Sequence, residues 1–295
     1  MQPLFLKKNT RSFEQSFQIR HAIVPHTYDI WHYHSELELL HILKSSGTRF
    51  IGDSIEHFSD GDLVLVGSNL PHVWKNEKVY YEDETLNAEV ILTHFQEDFV
   101  GREFFNIPEM HKIKELFTLA RQGIQVYGET RGQVSEKLKA LVNKEDGARV
   151  LGLIDVLHTI AISKEFRLLS SVGFGKSFHS KKNDRINKVY DFILNNFTDE
   201  ITLKDAAAVA NMNTTAFCRF FKTSTQKTFT KFLNDIRIGY ACKLLIYENR
   251  TIAATAYETG FNNLSYFNRV FKTSLGITPQ EYQRKHGKIE EAKSV

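Results

Sequence analysis

The chain has 295 residues with 38 Lys and Arg against 35 Asp and Glu, a net charge of +3, and this length predicts two domains. No run of 18 apolar residues occurs and the N-terminus lacks the apolar core of a secretory signal, so neither a membrane-spanning helix nor export is expected. The two cysteines, Cys218 and Cys242, form no disulfide framework, which favours a reducing, cytoplasmic location.

The charge is unevenly distributed along the chain. Residues 184–287 carry 14 Lys and Arg against 9 Asp and Glu, a net +5, whereas residues 1–169 carry 19 against 24, a net −5. A basic segment beside an acidic one favours binding of a polyanion by the basic part. Because the excess is modest, bulk charge alone is not expected to provide the affinity.

Short strands separated by turns are predicted from residue 18 to about residue 95. Many short strands at even spacing are typical of a barrel or a jelly roll. The clearest strands are Leu37–Leu43, Arg49–Ile51, Ile55–Phe58, Leu63–Val66 and Ala88–Phe95.

Histidine and carboxylate side chains are concentrated at two places in this β-rich region. His32, His34 and Glu38 lie close together in the chain, and His72 follows Pro71 further on. Alternate residues of a strand share a face, so His32 and His34 are expected to point the same way. The pattern resembles the two sequence motifs of the cupin barrel, and the resemblance implies a cupin-like domain over residues 1–107.

The same resemblance implies that His32, His34, Glu38 and His72 are metal ligands. Three imidazoles and one carboxylate suit a divalent transition metal such as iron, manganese, nickel or zinc. The alternative is a polar pocket that binds a small-molecule effector through some of these side chains, without a metal. The sequence does not separate the two interpretations.

Residues 108–169 are predicted to form a helical extension. Its helices are expected at Glu109–Arg121, Glu129–Leu141 and Arg149–Arg167. The last of these has an apolar stripe that would cover either the sheet of its own domain or a second copy of the chain. The Gly- and Ser-rich residues 170–183 are the predicted linker.

A segment of the C-terminal part occurs twice at an offset of 50 residues. Nine identities relate residues 201–228 to residues 251–278, and most lie in the run Phe-x-Arg-x-Phe-Lys-Thr-Ser that begins at Phe217 and again at Phe267. Each copy is interpreted as helix, turn, helix, with Thr202 or Thr251 as the first N-cap. Such a unit places its second helix in the DNA major groove. The alternative is a pair of helical hairpins with solvated basic faces.

A longer pattern covers the second copy and the residues after it. Its members are Gly260, Phe261, Ser265, Tyr266, Phe267, Arg269, Phe271, Lys272, Gly276, Thr278, Pro279 and Tyr282. This pattern resembles the signature of the AraC family of bacterial transcription regulators. The chain departs from the family at Asn211 and Gln226, where glycine is usual.

The AraC resemblance implies a DNA-binding domain over residues 184–287. Its two helix-turn-helix units would span about 202–225 and 251–275, joined by one helix at about Thr230–Tyr247. Lys222 and Lys272 on the same two helices are expected to contact phosphates. The implied base-reading residues are Thr215, Cys218 and Arg219 in the first unit and Ser265, Asn268 and Arg269 in the second.

The sequence therefore predicts an α+β chain with a β-barrel sensor domain and an all-α domain that binds double-stranded DNA. The expected state is a cytoplasmic homodimer that responds to a small-molecule effector, with RNA polymerase as a further candidate partner and no membrane association. The sequence has no nucleophile elbow, phosphate loop or paired-acid motif, so no enzyme is predicted. The alternative is a metal-dependent cupin enzyme fused to a nucleic-acid-binding domain.

Overall fold

The computed structural model describes residues 4–6, 15–171, 184–225, 227–246 and 250–286. The chain divides into two compact units, one formed by most of residues 3–179 and the other by most of residues 180–295. Most of the expected linker, Gln226 and the expected end of the joining helix at Tyr247 lie outside the described residues. The β-rich N-terminal part and the helical C-terminal part confirm the predicted fold class.

The N-terminal unit contains eleven described strands. They are β1 Leu4–Phe5, β2 Phe17–Val24, β3 His32–Tyr33, β4 Leu37–Lys44, β5 Gly47–Ile51, β6 Ser54–Phe58, β7 Leu63–Val66, β8 His72–Asn76, β9 Ala88–Phe95, β10 Ile124–Val126 and β11 Phe166–Leu168. The described helices of this unit are α1 Val79–Glu82, α2 His111–Ala120, α3 Gly128–Val142 and α4 Asp146–Ile162, with short 3₁₀ turns at Phe104–Asn106 and Pro108–Met110.

The strands form a six-stranded sheet in the order β11-β10-β7-β4-β9-β2 and a five-stranded sheet in the order β1-β3-β8-β5-β6. Side chains alternate across the six-stranded sheet, because successive residues of a strand point to opposite faces. Leu37 and Leu39 of β4 pack in one core with Leu116 of α2 and Leu153 of α4. The helices therefore cover one face of this sheet.

The opposite face of the six-stranded sheet borders a cavity of about 520 Å³. Glu38 and Leu40 of β4 line the cavity from this sheet, and His32 of β3 and Trp74 of β8 line it from the other sheet. The alternation along β4 thus separates residues that build the core from residues that build the cavity.

The prediction of one helix over Arg149–Arg167 is wrong at its C-terminal end. Helix α4 ends at Ile162, and Phe166–Leu168 instead pairs antiparallel with β10. The Glu165 carboxylate accepts hydrogen bonds from the backbone N–H and the hydroxyl of Thr130, at 2.7 and 2.8 Å. These hydrogen bonds hold the chain after α4 close to α3, and the following residues pair with the sheet. The extension that was expected to be helical therefore also supplies strands β10 and β11.

The C-terminal unit is built from helices. They are α5 Asp184–Asn196, α6 Leu203–Val209, α7 Thr214–Thr225, α8 Phe229–Ile246, α9 Ile252–Glu258, α10 Leu264–Leu275 and α11 Pro279–His286. Helix α8 contacts both α7 and α10 as well as α9 and α11. It therefore forms the common support of the two helix-turn-helix units, α6–α7 and α9–α10.

The repeat is confirmed, but its single offset of 50 residues is wrong for the first helix of each unit. Thr202 caps α6 by accepting from the Asp205 N–H, and Thr251 caps α9 by accepting from the Ala254 N–H, which is an offset of 49. Ala206 therefore corresponds to Thr255 rather than to Ala256.

The offset changes within the turn of the second unit. Asn211 and Gly260 have left-handed φ values of 53° and 81°, as is common directly after a helix. Beyond the turn, Asn213 and Asn263 cap α7 and α10 at an offset of 50. The turn of the second unit is therefore one residue longer, and the sequence comparison at constant offset conceals this insertion.

Over the part of the chain that the structure describes, no helix combines the length and the apolarity needed to span a bilayer.

Replacing Gly260 with alanine should destabilise the C-terminal unit much more than the same change at Gly276. Both glycines have left-handed φ values, 81° and 79°, and alanine there costs about 1–2 kcal/mol. A Cβ at Gly260 would also lie 2.7 Å from the carbonyl oxygen of Phe197, whereas nothing lies within 4 Å at Gly276. We expect Gly260→Ala to lower the free energy of unfolding by about 3 kcal/mol or more, as measured by urea denaturation. Equal losses of stability in Gly260→Ala and Gly276→Ala would contradict the packing argument.

Candidate nucleic-acid interface and histidine cluster

Helix α7 has one buried and one exposed face. Phe217 and Phe221 are fully buried, and their rings lie 5.5 Å apart against the rest of the unit. Thr215, Cys218 and Arg219 are exposed on the other side. The three residues expected to read bases in the first unit therefore share one accessible surface.

Helix α10 repeats this arrangement. Phe267 and Phe271 are fully buried, whereas Ser265, Asn268 and Arg269 are exposed. Each helix therefore exposes its arginine on the side opposite its buried phenylalanines.

Lys222 and Lys272 lie in the last turns of α7 and α10 and are exposed. Each follows its arginine by three residues, which is close to one helical turn. Each helix therefore presents a stripe with an arginine followed by a lysine.

The N-termini of α7 and α10 are fixed by the same local device. The side-chain oxygen of Asn213 accepts from the Ala216 N–H, and that of Asn263 accepts from the Tyr266 N–H, both at 2.8 Å. An N-cap of this kind satisfies a backbone donor that the helix itself cannot pair. The caps therefore define where each exposed stripe begins.

The four cupin-motif side chains come together in the N-terminal unit. One donor atom from each of His32, His34, Glu38 and His72 lies within 4.8 Å of the others, and all four residues are buried. Strands β3, β4 and β8 and the residues beside them supply these side chains, so residues up to 40 positions apart in sequence meet through strand pairing.

Backbone carbonyls orient the three imidazoles. The Nδ1 atoms of His32 and His72 lie 2.7 Å from the carbonyl oxygens of Ile30 and Leu70, and Nδ1 of His34 lies 3.1 Å from that of Glu36. Since a carbonyl only accepts, each Nδ1 carries a proton and donates it. The Nε2 atoms are thereby left to face the cluster, and Nε2 of His72 is buried 3.7 Å from Oε2 of Glu38, beyond hydrogen-bond distance.

Glu38 provides the negative charge of the cluster. Burial alone would raise the pKa of the Glu38 carboxyl, but the field of His72 and hydrogen bonds from neighbouring histidines hold that pKa well below its usual range. Burial and the field of His72 lower the pKa of His32 to about 2, so this ring is neutral at pH 7. A buried carboxylate needs a balancing cation, which is either an imidazolium proton or a metal ion.

His94 belongs to this cluster and is missing from the sequence prediction. Its Nε2 lies 2.7 Å from Oε2 of Glu38, because β9 pairs with β4 so that His94 stands directly opposite Glu38. The Glu36 carboxylate is also buried and lies 3.7 Å from Nδ1 of His34. The alternating pattern of Ala88–Phe95 indicates a strand, but its register against β4 cannot be read from the sequence.

Comparison with known proteins gives matches to the C-terminal unit and to the whole chain. Residues 206–285 match the family described as a helix-turn-helix domain. The chain is 23% identical over 260 residues to YdeC, an uncharacterised HTH-type transcriptional regulator of Bacillus subtilis (strain 168), covering 86% of this chain and 85% of that protein. It is 26% identical over 151 residues to the HTH-type transcriptional activator RhaS of Mannheimia succiniciproducens, covering 48% of this chain and 56% of that protein.

Among solved structures, ToxT from Vibrio cholerae O395 aligns with 92% of this chain and 98% of its own, at 16% identity and a TM-score of 0.37. The family match coincides with the two units whose exposed arginines and buried phenylalanines are described above. The relatives are HTH-type transcriptional regulators. The chain is accordingly a DNA-binding transcription regulator that carries an AraC-type helix-turn-helix domain at its C-terminus.

Proposed function

We propose that this regulator reads two DNA elements through α7 and α10 and responds to a small molecule bound in its N-terminal unit. The observation that carries the DNA part is the matched exposure of Arg219 and Arg269 over buried phenylalanine pairs. Arginine at such a position can donate two hydrogen bonds to a guanine edge in the major groove. Lys222 and Lys272 then contact phosphates, which strengthens binding without selecting bases.

Arg219→Ala and Arg269→Ala should each weaken binding to the specific duplex by roughly 1–3 kcal/mol and relax base preference at one position of the corresponding element. The measurement is the Kd of the full chain for a duplex selected from a random library and for its single-base variants. Equal losses on specific and random DNA would show that the arginines contact only phosphates.

Lys222→Gln and Lys272→Gln are the matched controls, since they lie on the same two helices. Each should weaken binding to all sequences alike and reduce the slope of log K against log salt by about 1. Base preference should remain that of the wild type.

The two elements should have to lie on one face of the DNA. Helix α8 has 18 residues, and at 1.5 Å per residue it spans about 27 Å, so it acts as a rigid spacer between the units. Inserting five base pairs between the elements turns the second by about half a helical turn and should abolish high-affinity binding in a gel-shift titration. Undiminished affinity for that duplex would mean that the units bind independently, or that only one of them reads DNA.

A homodimer is part of the proposal and is supported by one face of α4. Leu151 and Ile162 are 68% and 61% exposed, although the opposite side of this helix lies in the core of its unit. Large apolar side chains exposed on one helix are typical of surfaces that associate. A second copy of the chain would cover them.

The cavity between the two sheets is the proposed effector site. Its volume of about 520 Å³ lies within the range of small-molecule sites, which are mainly apolar with a few polar groups. Its polar groups include Arg20, His32 and Glu38 at different positions on the wall. The apolar wall is formed by Ala22, Val24, Leu40, Trp74, Val90 and Leu92.

A divalent transition metal bound by His32, His34, Glu38 and His72 fits the cluster next to this cavity. Two observations support this. Nε2 of His72 is buried without a hydrogen bond. All three Nδ1 atoms contact backbone carbonyls, and metal-ligating histidines usually donate the N–H of their other ring nitrogen in this way. His94 would hold the Glu38 carboxylate in place. A bound metal would supply a Lewis-acidic anchor for an oxygen atom of the effector.

His34→Ala and His72→Ala should each remove the metal, since a site that loses one of its imidazoles binds far more weakly. Elemental analysis of freshly purified protein should give about one metal ion per wild-type chain and close to none for either variant. His94→Ala should weaken metal binding by about 10–100-fold without abolishing it.

His21→Ala serves as the control, because His21 pairs with Glu89 away from the cluster and its loss should leave the metal content unchanged. Wild-type protein that takes up none of iron, manganese, nickel or zinc would refute the metal proposal and favour a metal-free effector pocket. Turnover of a substrate by the metal-loaded chain would instead favour the cupin enzyme.

A further inference from the structure

The two base-facing arginines have different neighbours. In the second unit, the guanidinium carbon of Arg269 lies 5.3 Å from the ring centroid of Tyr266. In the first unit, the equivalent position, three residues before Arg219, is occupied by Ala216. The two recognition helices therefore share an arginine, but among the described residues a cation–π contact to that arginine is seen in the second unit alone.

Tyr266 is itself held in place from three sides. The Asn234 amide of α8 donates a hydrogen bond to its hydroxyl oxygen at 2.8 Å. Its backbone N–H donates to the side chain of Asn263, which caps the helix, and its ring lies 5.9 Å from that of buried Phe261. The ring is thus fixed by the long helix, by the helix cap and by the core.

A ring in this position can orient an arginine without consuming its hydrogen-bonding capacity. A cation–π contact uses the charge of the guanidinium, whereas its five N–H donors remain available for hydrogen bonds. Fixing the side chain before DNA binds reduces the entropy that must be lost on binding. Arg219 has no such ring three residues before it, so its side chain loses more conformational entropy when it binds DNA.

We propose that Tyr266, tied to Asn234, is a positioning residue for Arg269, and that the second unit therefore discriminates its base more sharply than the first. This inference rests on the proposed base-reading role of the two arginines. It makes α8 part of the recognition apparatus, because the hydroxyl contact that fixes Tyr266 comes from this helix.

The test uses the full chain and a duplex carrying both elements, selected from a random library by the wild-type protein. Kd values for every single-base variant give a discrimination ratio at each position. Tyr266→Leu should reduce the ratio at the base read by Arg269 by about two- to fivefold, the size of an exposed cation–π contact, and should leave the first element unchanged. Tyr266→Phe keeps the ring and should retain most of the discrimination, whereas Asn234→Ala should match Tyr266→Phe.

A double-mutant cycle separates positioning from a purely structural role. Tyr266→Leu combined with Arg269→Ala should cost no more discrimination than Arg269→Ala alone, because the tyrosine acts through the arginine. Additive losses, or equal losses at both elements, would overturn the inference, as would wild-type discrimination in Tyr266→Leu. If Tyr266→Leu fails to fold, Tyr266→Met takes its place, because methionine is also large and lacks the ring; unchanged discrimination in that variant would overturn the inference.

Failure of this inference can be told apart from failure of the base-reading proposal. If Arg269→Ala leaves every discrimination ratio unchanged, arginine does not read the base and the proposed function fails. If Arg269→Ala removes discrimination but none of the changes at Tyr266 and Asn234 does, only the positioning role is rejected.

Discussion

Burial of two phenylalanines one helical turn apart is the constraint on which the DNA-binding unit depends. Phe217 and Phe221 in α7, and Phe267 and Phe271 in α10, have no solvent exposure. Rotating either helix would bring a ring into water, at a cost of about 2 kcal/mol for each side chain exposed. The core therefore fixes the direction of the arginines, although its rings lie inside the unit. Residues on the outer face can vary without disturbing this core, because they do not contribute to it.

In the N-terminal unit, too, residues that build the core lie on the opposite face from residues that build the proposed site. Residues of β4 with odd numbers, such as Leu37 and Leu39, build the core under the helices, whereas Glu38 and Leu40 face the cavity. Placing a carboxylate on the cavity side is unfavourable unless partners compensate its charge. The histidines around Glu38 supply that compensation, and the backbone carbonyls that hold their rings fix the direction from which they do so.

The sequence predicts features that depend on local periodicity better than features that depend on register. The helix caps at Thr202 and Thr251 follow from local pattern, and the structure confirms them. The strand at Phe166–Leu168 was hidden because its partner lies 40 residues away and its anchor is a side chain. His94 was missed for the same reason: only the pairing of β9 with β4 brings it to Glu38.

The longer turn of the second unit bears on how the specificity of this regulator can change. The extra residue precedes the asparagine caps, so the two recognition helices are equal in length and begin at equivalent residues, Asn213 and Asn263. A recombination or an engineered exchange with its junction at these caps would move a complete exposed helix face between units and leave the differing turns in place. An exchange with its junction before the caps would transfer the length difference as well. With the proposed base-reading residues on these helices, the asparagine caps are natural boundaries for modular exchange of DNA specificity within this chain.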